Sequence, residues 1–237
     1  MKAVQLGCGL VGSVIATDLS KDFDVTVVDL NEKALGALKT KVPSIRTVVG
    51  SCIDREVLAP LLEDADIVTA GVPGKYGFKM METVIGLGKS LSDISFMAED
   101  FELLDDLARE KGVVVVPDIG VAPGMSNYLM GRGCALLDEV EDAVIYVGGI
   151  PEKKVPPFNY QVTWSPADVI EEYTRPARFV EDGKPVTVEA MDRLTLREFP
   201  KVGELETFIT DGLRSLIKNL KARRMEERTL RWPGHVE

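Results

Sequence analysis

The stretch VQLGCGLVGSVIATDL, residues 4–19, places Gly7, Gly9 and Gly12 directly after a short apolar run. Glycines at this spacing between a strand and a helix are typical of loops that hold the pyrophosphate of a dinucleotide. The first permits a tight turn, the second lets the backbone approach the phosphates, and the third lets the helix pack closely on the strand. We therefore expect phosphate at the start of a helix over residues 11–20, where backbone N–H groups are free.

An acidic residue, Asp29, ends the second apolar run and lies 22 positions after Gly7. We expect its carboxylate to accept hydrogen bonds from the ribose hydroxyls of the adenosine. Asp29 would repel a 2′-phosphate, and the LNEK that follows holds no arginine to bind one, so we expect NAD in preference to NADP. The alternative is a nucleotide-free domain in which Asp29 only caps the helix that starts at Asn31.

Further cofactor contacts are expected from loops at the same edge of the sheet. Leu10 and Val11 belong to the glycine-rich loop itself. Asp54 follows the third strand and either flanks the adenine or caps the next helix, and the sequence leaves both open. After the fourth strand, three residues are expected to run along the ribose and phosphate of the cofactor: Val72, Pro73 and Gly74.

The first half of the chain, residues 1–120, alternates between apolar runs and helical segments. Parallel strands need crossover helices, so this alternation predicts an α/β fold with a Rossmann-type doubly wound parallel sheet. The predicted strands cover residues 3–7, 24–29, 45–49, 66–72, 91–95 and 113–117. The predicted helices cover residues 11–20, 32–40, 54–63, 76–88 and 99–111.

The second half, residues 121–237, predicts a mixed α+β domain for substrate binding or oligomerisation. Its strand-like runs cover residues 142–150, 158–164, 176–180, 184–190, 193–199 and 205–210. The Asp-Gly step at Asp182 predicts a hairpin turn. Helices are predicted over 166–173 and 212–224. In the second, the apolar residues have core spacing, and the charges of LRSLIKNLKARRMEER are expected to face solvent.

Bulk composition excludes several classes of function. The 237 residues carry a net charge of −10, which argues against nucleic acid or an anionic membrane as a partner. The apolar fraction of 45% is typical of a globular protein, and no apolar run reaches the ~20 residues of a membrane helix, so a cytoplasmic location is expected. Three scattered cysteines and a single histidine, His235, favour no metal site.

Two aspartates lie at the carboxyl ends of strands that should adjoin the cofactor. Asp93 lies toward the end of the fifth strand and Asp118 follows the sixth. Ligands in open parallel sheets bind beyond the carboxyl ends of the strands, so both carboxylates are expected toward the nicotinamide. For each residue a turn or cap role is the alternative.

Several motifs, in this order along nearly the whole chain, carry a family resemblance: GCGLVG, GVPGKYGFK, DISFMAEDFELLDDLA, DIGVAPGMSNYLMG, IYVGGIP, TWSPADVIEEYTRPAR, ITDGLRSL and TLRWPGH. The sequence resembles the saccharopine dehydrogenase superfamily and, within it, the branch similar to lysine 6-dehydrogenase. The resemblance implies an NAD-dependent dehydrogenase that oxidises the ε-amine of L-lysine to 2-aminoadipate 6-semialdehyde and ammonia. Relatives in the superfamily act on saccharopine or carboxynorspermidine, which is the alternative for this chain.

Such a reaction needs a base, a cation for the substrate carboxylate and an anion for its ammonium group. Arg175 or Arg231 is expected to bind the carboxylate, and Glu172, like the two aspartates, could orient the ammonium. His235 is the candidate for acid–base catalysis because its ordinary pKa lies near neutrality. A surface role for the arginines, and a frayed terminal position for the histidine, are the alternatives.

The chain stops two residues after His235, whereas the family continues well beyond this motif. A C-terminally short chain raises a third hypothesis, in which it is an inactive NAD-binding scaffold. Apolar surface left uncovered would favour a homodimer or a higher homo-oligomer. A small amino-acid substrate remains the expected partner.

Overall fold

The computed structural model describes residues 1–236, which divide into two compact units, Met1–Gly120 and a second that begins at Val121. In the described residues, no helix is long and apolar enough to cross a membrane.

The first unit is built on a six-stranded parallel sheet with the strand order β3-β2-β1-β4-β5-β6. Its strands are β1 Lys2–Leu6, β2 Asp24–Asp29, β3 Arg46–Val49, β4 Ile67–Ala70, β5 Leu91–Asp93 and β6 Val115–Val116. This order places the reversal of the sheet between β1 and β4, where doubly wound folds bind their ligands. The predicted fold class is confirmed.

Five helices cover the sheet: α1 Gly12–Leu19, α2 Glu32–Lys41, α3 Arg55–Leu62, α4 Gly74–Gly86 and α5 Asp105–Lys111. Buried residues of α1 and α2 share one apolar cluster with β1 and β2. Those of α3 and α4 join a second cluster, which also contains residues of β4 and β5. Two clusters of this kind are expected when helices lie on both faces of a parallel sheet.

The glycine-rich loop brings backbone against backbone at the centre of the sheet. A Cβ at Gly12 would lie 2.2 Å from the carbonyl oxygen of Gly7, and a Cβ at Gly7 would lie 2.4 Å from the carbonyl oxygen of Gly71. Gly7 also has a φ of 94°, which side chains disfavour. Only glycine at these positions lets α1 begin this close to β1 and β4.

The second unit contains a six-stranded mixed sheet. Its strands are β7 Asp142–Val147, β8 Ala177–Glu181, β9 Lys184–Val188, β10 Thr195–Phe199, β11 Gly203–Ile209 and β12 Arg224–Arg231, and its helices are α6 Met125–Cys134, α7 Pro166–Thr174 and α8 Leu216–Asn219. The predicted turn at Asp182 is confirmed, since Glu181 pairs with Lys184 across it. Helix α7 begins at the expected place, with Ser165 as its N-cap and Pro166 in its first turn.

Strand β12 occupies the middle of this sheet. It pairs in parallel with β7 along one edge and antiparallel with β11 along the other, where it also meets β8 at Met225. Four of its charged side chains are buried, those of Glu226, Glu227, Arg228 and Arg231, whereas Arg224 is partly exposed. Glu226 accepts hydrogen bonds from Arg224 (2.8 Å) and Arg228 (3.0 Å). Burial opposes ionisation of Glu226, but these bonds outweigh it and hold the pKa of its carboxyl below the ordinary value.

Two predictions for the second half are wrong. The helix expected over 212–224 is reduced to the four residues of α8, and the basic stretch continues into buried strand β12 rather than a solvated helical face. Pairing with β7 and β11 overrides the local helical pattern. The strand expected over 158–164 is irregular, because Asn159 adopts a left-handed φ of 52° that turns the chain.

The glycine contacts can be tested with two alanine variants. Gly12→Ala should lower the free energy of unfolding by more than ~2 kcal/mol, because the methyl group overlaps the Gly7 carbonyl. Gly36→Ala, in the exposed part of α2 with no heavy atom within 4 Å of its Cβ, should raise it by ~0.5–1 kcal/mol. Urea unfolding measures both, and equal midpoints for the two variants would contradict the close approach.

Candidate functional site

The glycine-rich loop ends with unpaired backbone donors. Within residues 1–236, the N–H groups of Gly9, Leu10 and Val11 have no backbone or side-chain acceptor. They precede the first turn of α1, where the helix dipole favours negative charge. No heavy atom lies within 4 Å of a Cβ built at Gly9, so the backbone is open to a close ligand. These features fit the pyrophosphate of a dinucleotide.

The carboxylate of Asp29 connects this loop to the end of β2. Its Oδ2 accepts the N–H of Cys8 at 2.6 Å, and its Oδ1 accepts the N–H of Asn31 at 2.7 Å. Asn31, and not Asp29, is the N-cap of α2, since its side chain accepts the N–H of Ala34. The side chain of Asp29 is half-buried beside the loop, and each oxygen keeps a lone pair for a further donor.

The other predicted cofactor contacts lie in loops at the carboxyl ends of the strands. Leu10 and Val11 are exposed, at 66% and 39% of their surface. Asp54 caps α3 by accepting the N–H of Glu56 at 2.9 Å, which gives it a local structural role whether or not it also contacts adenine. Pro73 precedes α4, which begins at Gly74.

A hydrogen-bonded chain links the ends of β4 and β5. The N–H of Val72 donates to the hydroxyl of Ser95 (3.3 Å), and that hydroxyl donates to Oδ1 of Asp93 (2.6 Å). The backbone N–H of Ser95 also donates to this Oδ1, at 3.1 Å. Two of the predicted site residues, Val72 and Asp93, are therefore joined through a serine that the sequence analysis did not select.

The remaining oxygen of Asp93 is unusual. Oδ2 is buried and, within the described residues, has no hydrogen-bond partner, although the whole side chain is inaccessible to solvent. Burial, with a smaller contribution from the nearby charge of Asp118, raises the pKa of this carboxyl to about 7, although the Ser95 bonds oppose the shift. A buried carboxyl with one oxygen that lacks a hydrogen-bond partner and with a pKa near neutrality has the properties of a group that exchanges a proton with a ligand.

In the second unit, Glu172 of α7 and Arg231 of β12 form a buried ion pair. Nη2 of Arg231 donates to Oε2 of Glu172 at 3.1 Å, and the hydroxyl of Thr229 donates to the other carboxylate oxygen at 2.8 Å. The ring of Tyr160 lies over the guanidinium, 4.4 Å from centroid to Cζ. Two of the predicted substrate-binding residues thus lie together.

Tyr173 joins this pair to His235. Nε of Arg231 donates to the Tyr173 hydroxyl (2.8 Å), which lies 2.9 Å from Nε2 of His235. The other ring nitrogen, Nδ1, lies 2.7 Å from the carbonyl oxygen of Phe158. His235 is half-buried and is held by these contacts rather than frayed.

Arg175 belongs to a different cluster. It lies 3.7 Å from Glu171, and burial together with the nearby charge of Arg214 lowers the pKa of its guanidinium. Its role in substrate binding remains a prediction, as do those of the other candidate residues. Within the part of the chain that the structure describes, no group of three His, Cys, Asp or Glu residues could hold a metal ion.

Three contributors to these sites were missed by sequence reasoning: Ser95, Tyr173 and Glu206. Glu206 accepts the N–H groups of Gly234 (2.6 Å), His235 (3.3 Å) and Val236 (3.3 Å), so it fixes the segment after β12. Tyr173 could have been found from its position in EEYTRPAR, next to Glu172. No local signal marks Glu206, whose partners lie about 30 residues away in sequence.

Curated proteins resemble this chain over most of its length but extend further. A saccharopine dehydrogenase (NADP(+), L-glutamate-forming) of Schizosaccharomyces pombe is 25% identical over 198 residues, covering 79% of this chain and 43% of that protein. The mitochondrial alpha-aminoadipic semialdehyde synthase of Rattus norvegicus is 24% identical over 197 residues, covering 79% and 21%. The chain therefore spans less than half of the length of these relatives.

Solved structures share the fold. The apo saccharopine dehydrogenase (L-Glu forming) of Saccharomyces cerevisiae superposes with a TM-score of 0.78 at 22% identity, covering 99% of this chain and 56% of that one. A probable dehydrogenase from Thermotoga maritima superposes with a TM-score of 0.57 at 10% identity, covering 99% of this chain and 70% of that one.

Family models cover both halves of the sequence. Residues 3–116 match the saccharopine dehydrogenase NADP binding domain, and residues 120–237 match the saccharopine dehydrogenase C-terminal domain. With the two matches in succession over nearly every residue, the chain belongs to the saccharopine dehydrogenase family.

Proposed function

We propose that this chain is a nicotinamide-dependent dehydrogenase that oxidises a CH–NH group of an amino-acid substrate, with the ε-amine of L-lysine as its substrate. The observation that carries the proposal is the loop at Gly9, where free N–H groups and open space meet beside Asp29. The names of the relatives support amino-acid oxidoreduction at carbon–nitrogen bonds. When bound, the cofactor supplies the acceptor for the hydride.

We propose NAD as the preferred cofactor. Both oxygens of Asp29 already receive backbone N–H groups, which holds the carboxylate at the end of β2 and leaves it able to accept from a ribose. A 2′-phosphate would face this charge, and the LNEK that follows at residues 30–33 holds no arginine to bind it. The family model and the yeast relatives are named for NADP, so this preference would distinguish the chain from them.

The ion pair of Arg231 and Glu172 suits the head group of an amino acid. A free amino acid carries an ammonium group beside a carboxylate. Arg231 offers a cation to the carboxylate, and Glu172 offers an anion to the ammonium group. Arg231 has five N–H bonds, of which three are used by Tyr173, Leu230 and Glu172. One donor on each terminal nitrogen is left for a substrate carboxylate.

The proton that leaves with oxidation of the amine needs an acceptor. Asp93 is the proposed base because its Oδ2, which has no hydrogen-bond partner in the described residues, lies at the end of β5, and its pKa of about 7 lets it gain or lose a proton near neutrality. His235 is less suited to this role in the present geometry, since both of its ring nitrogens are engaged.

Turnover of purified protein tests the activity. Formation of the reduced nicotinamide is expected with L-lysine and NAD, and release of ammonia in equal amount should accompany it. Gly9→Asp is the matched control, because its Cβ meets no neighbour and the fold should persist while the added charge repels the pyrophosphate.

Saccharopine and NADP should be assayed in the same series. If saccharopine is turned over and L-lysine is not, saccharopine replaces L-lysine as the proposed substrate. The absence of turnover with every pair, while NAD still binds, would refute the dehydrogenase proposal and leave a nucleotide-binding scaffold.

The cofactor preference can be tested at Asp29. Asp29→Asn should lower the affinity for NAD by about tenfold and change the affinity for NADP less. A neutral amide binds ribose hydroxyls less well but no longer repels a phosphate. Asp24→Asn, at the opposite end of β2, is the control and should leave both affinities unchanged. Fluorescence titration with NADH and NADPH measures the ratio, and an unchanged ratio in Asp29→Asn would contradict the placement of the ribose.

Substitution of Asp93 should separate stability from activity. The folded carboxyl titrates near pH 7 and the unfolded one near its ordinary value of 3.8, so wild-type stability should fall as pH rises between these values. Asp93→Asn should therefore be the more stable protein at pH 8, with the difference closing toward pH 4, and should lose at least ~100-fold in kcat. Chemical denaturation and steady-state rates measure the two effects, and full activity in Asp93→Asn would rule out the base.

A further inference from the structure

We propose that Tyr173 and His235 are positioning residues, which orient the guanidinium of Arg231 for a substrate carboxylate. This inference rests on the proposed function, since it assumes an amino-acid substrate at the pair of Arg231 and Glu172. It assigns His235 a role different from acid–base catalysis, and it makes Tyr173 the link between His235 and Arg231.

The directions of the hydrogen bonds follow from one carbonyl. The oxygen of Phe158 can only accept, so the proton between it and His235 resides on Nδ1. In the neutral ring, Nε2 is then an acceptor and receives the hydroxyl proton of Tyr173. The Tyr173 oxygen in turn accepts from Nε of Arg231. Each group thus has one defined partner on each side.

These contacts leave no reactive atom of His235 or Tyr173 free. Both nitrogens of the imidazole are engaged, and the Tyr173 oxygen both donates and accepts. Burial raises the pKa of the Tyr173 hydroxyl to about 12, although Arg231 opposes the shift, so the hydroxyl keeps its proton. An acid–base role would require these contacts to break first.

The same contacts restrict Arg231. Tyr173 holds its Nε, Glu172 holds one terminal nitrogen, and the ring of Tyr160 covers one face at 4.4 Å. The side chain is 3% exposed, so it has little freedom to adopt other rotamers. A guanidinium fixed in this way loses less entropy when its two remaining N–H bonds bind a carboxylate.

His235 is itself fixed from the backbone. The carboxylate of Glu206 accepts three successive N–H groups, those of Gly234, His235 and Val236. Trp232 and Asn159 add bonds between this segment and the loop that contains Phe158: the Trp232 indole donates to the carbonyl of Pro151 (2.9 Å), and the Asn159 amide donates to that of Pro233 (3.4 Å). The imidazole therefore stands between two anchored segments.

The kinetic test uses Tyr173→Phe and His235→Asn. Loss of a hydrogen bond to the charged Arg231 should raise the KM for L-lysine by about tenfold while kcat changes by less than about twofold and the KM for NAD is unchanged. In His235→Asn the Nδ1-like donor is retained and the acceptor for the Tyr173 hydroxyl is lost, so Tyr173 is held less firmly and the KM for L-lysine should rise in the same way. Tyr128→Phe, on the exposed surface of α6, is the control.

A second measurement does not depend on activity. His235 is the single histidine of the chain, so nitrogen-15 NMR of tag-free protein reports its imidazole without ambiguity. At pH 7 the Nδ1–H tautomer is expected in the wild type and in Tyr128→Phe. In Tyr173→Phe the nitrogen-15 resonance of Nε2 should shift, because this nitrogen loses its hydrogen-bond donor.

The outcomes separate the two proposals. A protonated Nε2 in the neutral ring, or a fall in kcat of about 100-fold at unchanged KM in either variant, would overturn the positioning role. Absence of wild-type turnover would instead refute the proposed function. In that case, calorimetric titration with L-lysine decides whether Arg231 binds a carboxylate: equal binding by wild type and Tyr173→Phe, or no binding, would overturn the inference.

Discussion

The approach of three glycine backbones at the end of β1 is the constraint on which the first unit depends. Gly12 lies against the carbonyl of Gly7, and Gly7 lies against that of Gly71, at separations that no Cβ permits. This contact starts α1 close to the sheet and brings β1 beside β4, and it leaves the N–H groups of Gly9, Leu10 and Val11 without acceptors in the described residues. Asp29 then secures the loop from β2 through Cys8, so the same backbone geometry that packs the sheet also shapes the proposed phosphate site.

In the second unit, paired charges on a central strand have a comparable role. A buried charge destabilises the fold unless it is paired, and removal of one partner leaves the other buried without compensation. Glu226 lies between two arginines of β12, whereas Arg231 donates hydrogen bonds to Glu172 and Tyr173 of α7. The strand that organises the sheet therefore also supplies the cation of the proposed substrate site. This coupling joins folding and function in one element.

The first unit was predicted well because its fold is marked by patterns within short segments of sequence. The alternation of apolar runs and helical segments identified the parallel sheet, and Gly7, Gly9 and Gly12 located the turn that opens α1. The second unit was predicted less well, since the apolar residues before β12 have helical spacing, and the charged run that follows them was expected on a solvated helical face. Its strand conformation depends on β7, some 80 residues earlier, and on β11. A pattern within one segment carries no information about such partners.

The sequence by itself determined the doubly wound fold, the glycine loop and the residue types available for chemistry, because periodicity and glycine spacing act over a few residues. Only the tertiary structure decided which of those residues meet. It joined Asp93 to Val72 through Ser95, brought Arg175 near Glu171 and Arg231 to Glu172, and placed Tyr173 between Arg231 and His235. Burial likewise decided the pKa of Asp93, since the desolvation that raises it arises from the packing of distant segments.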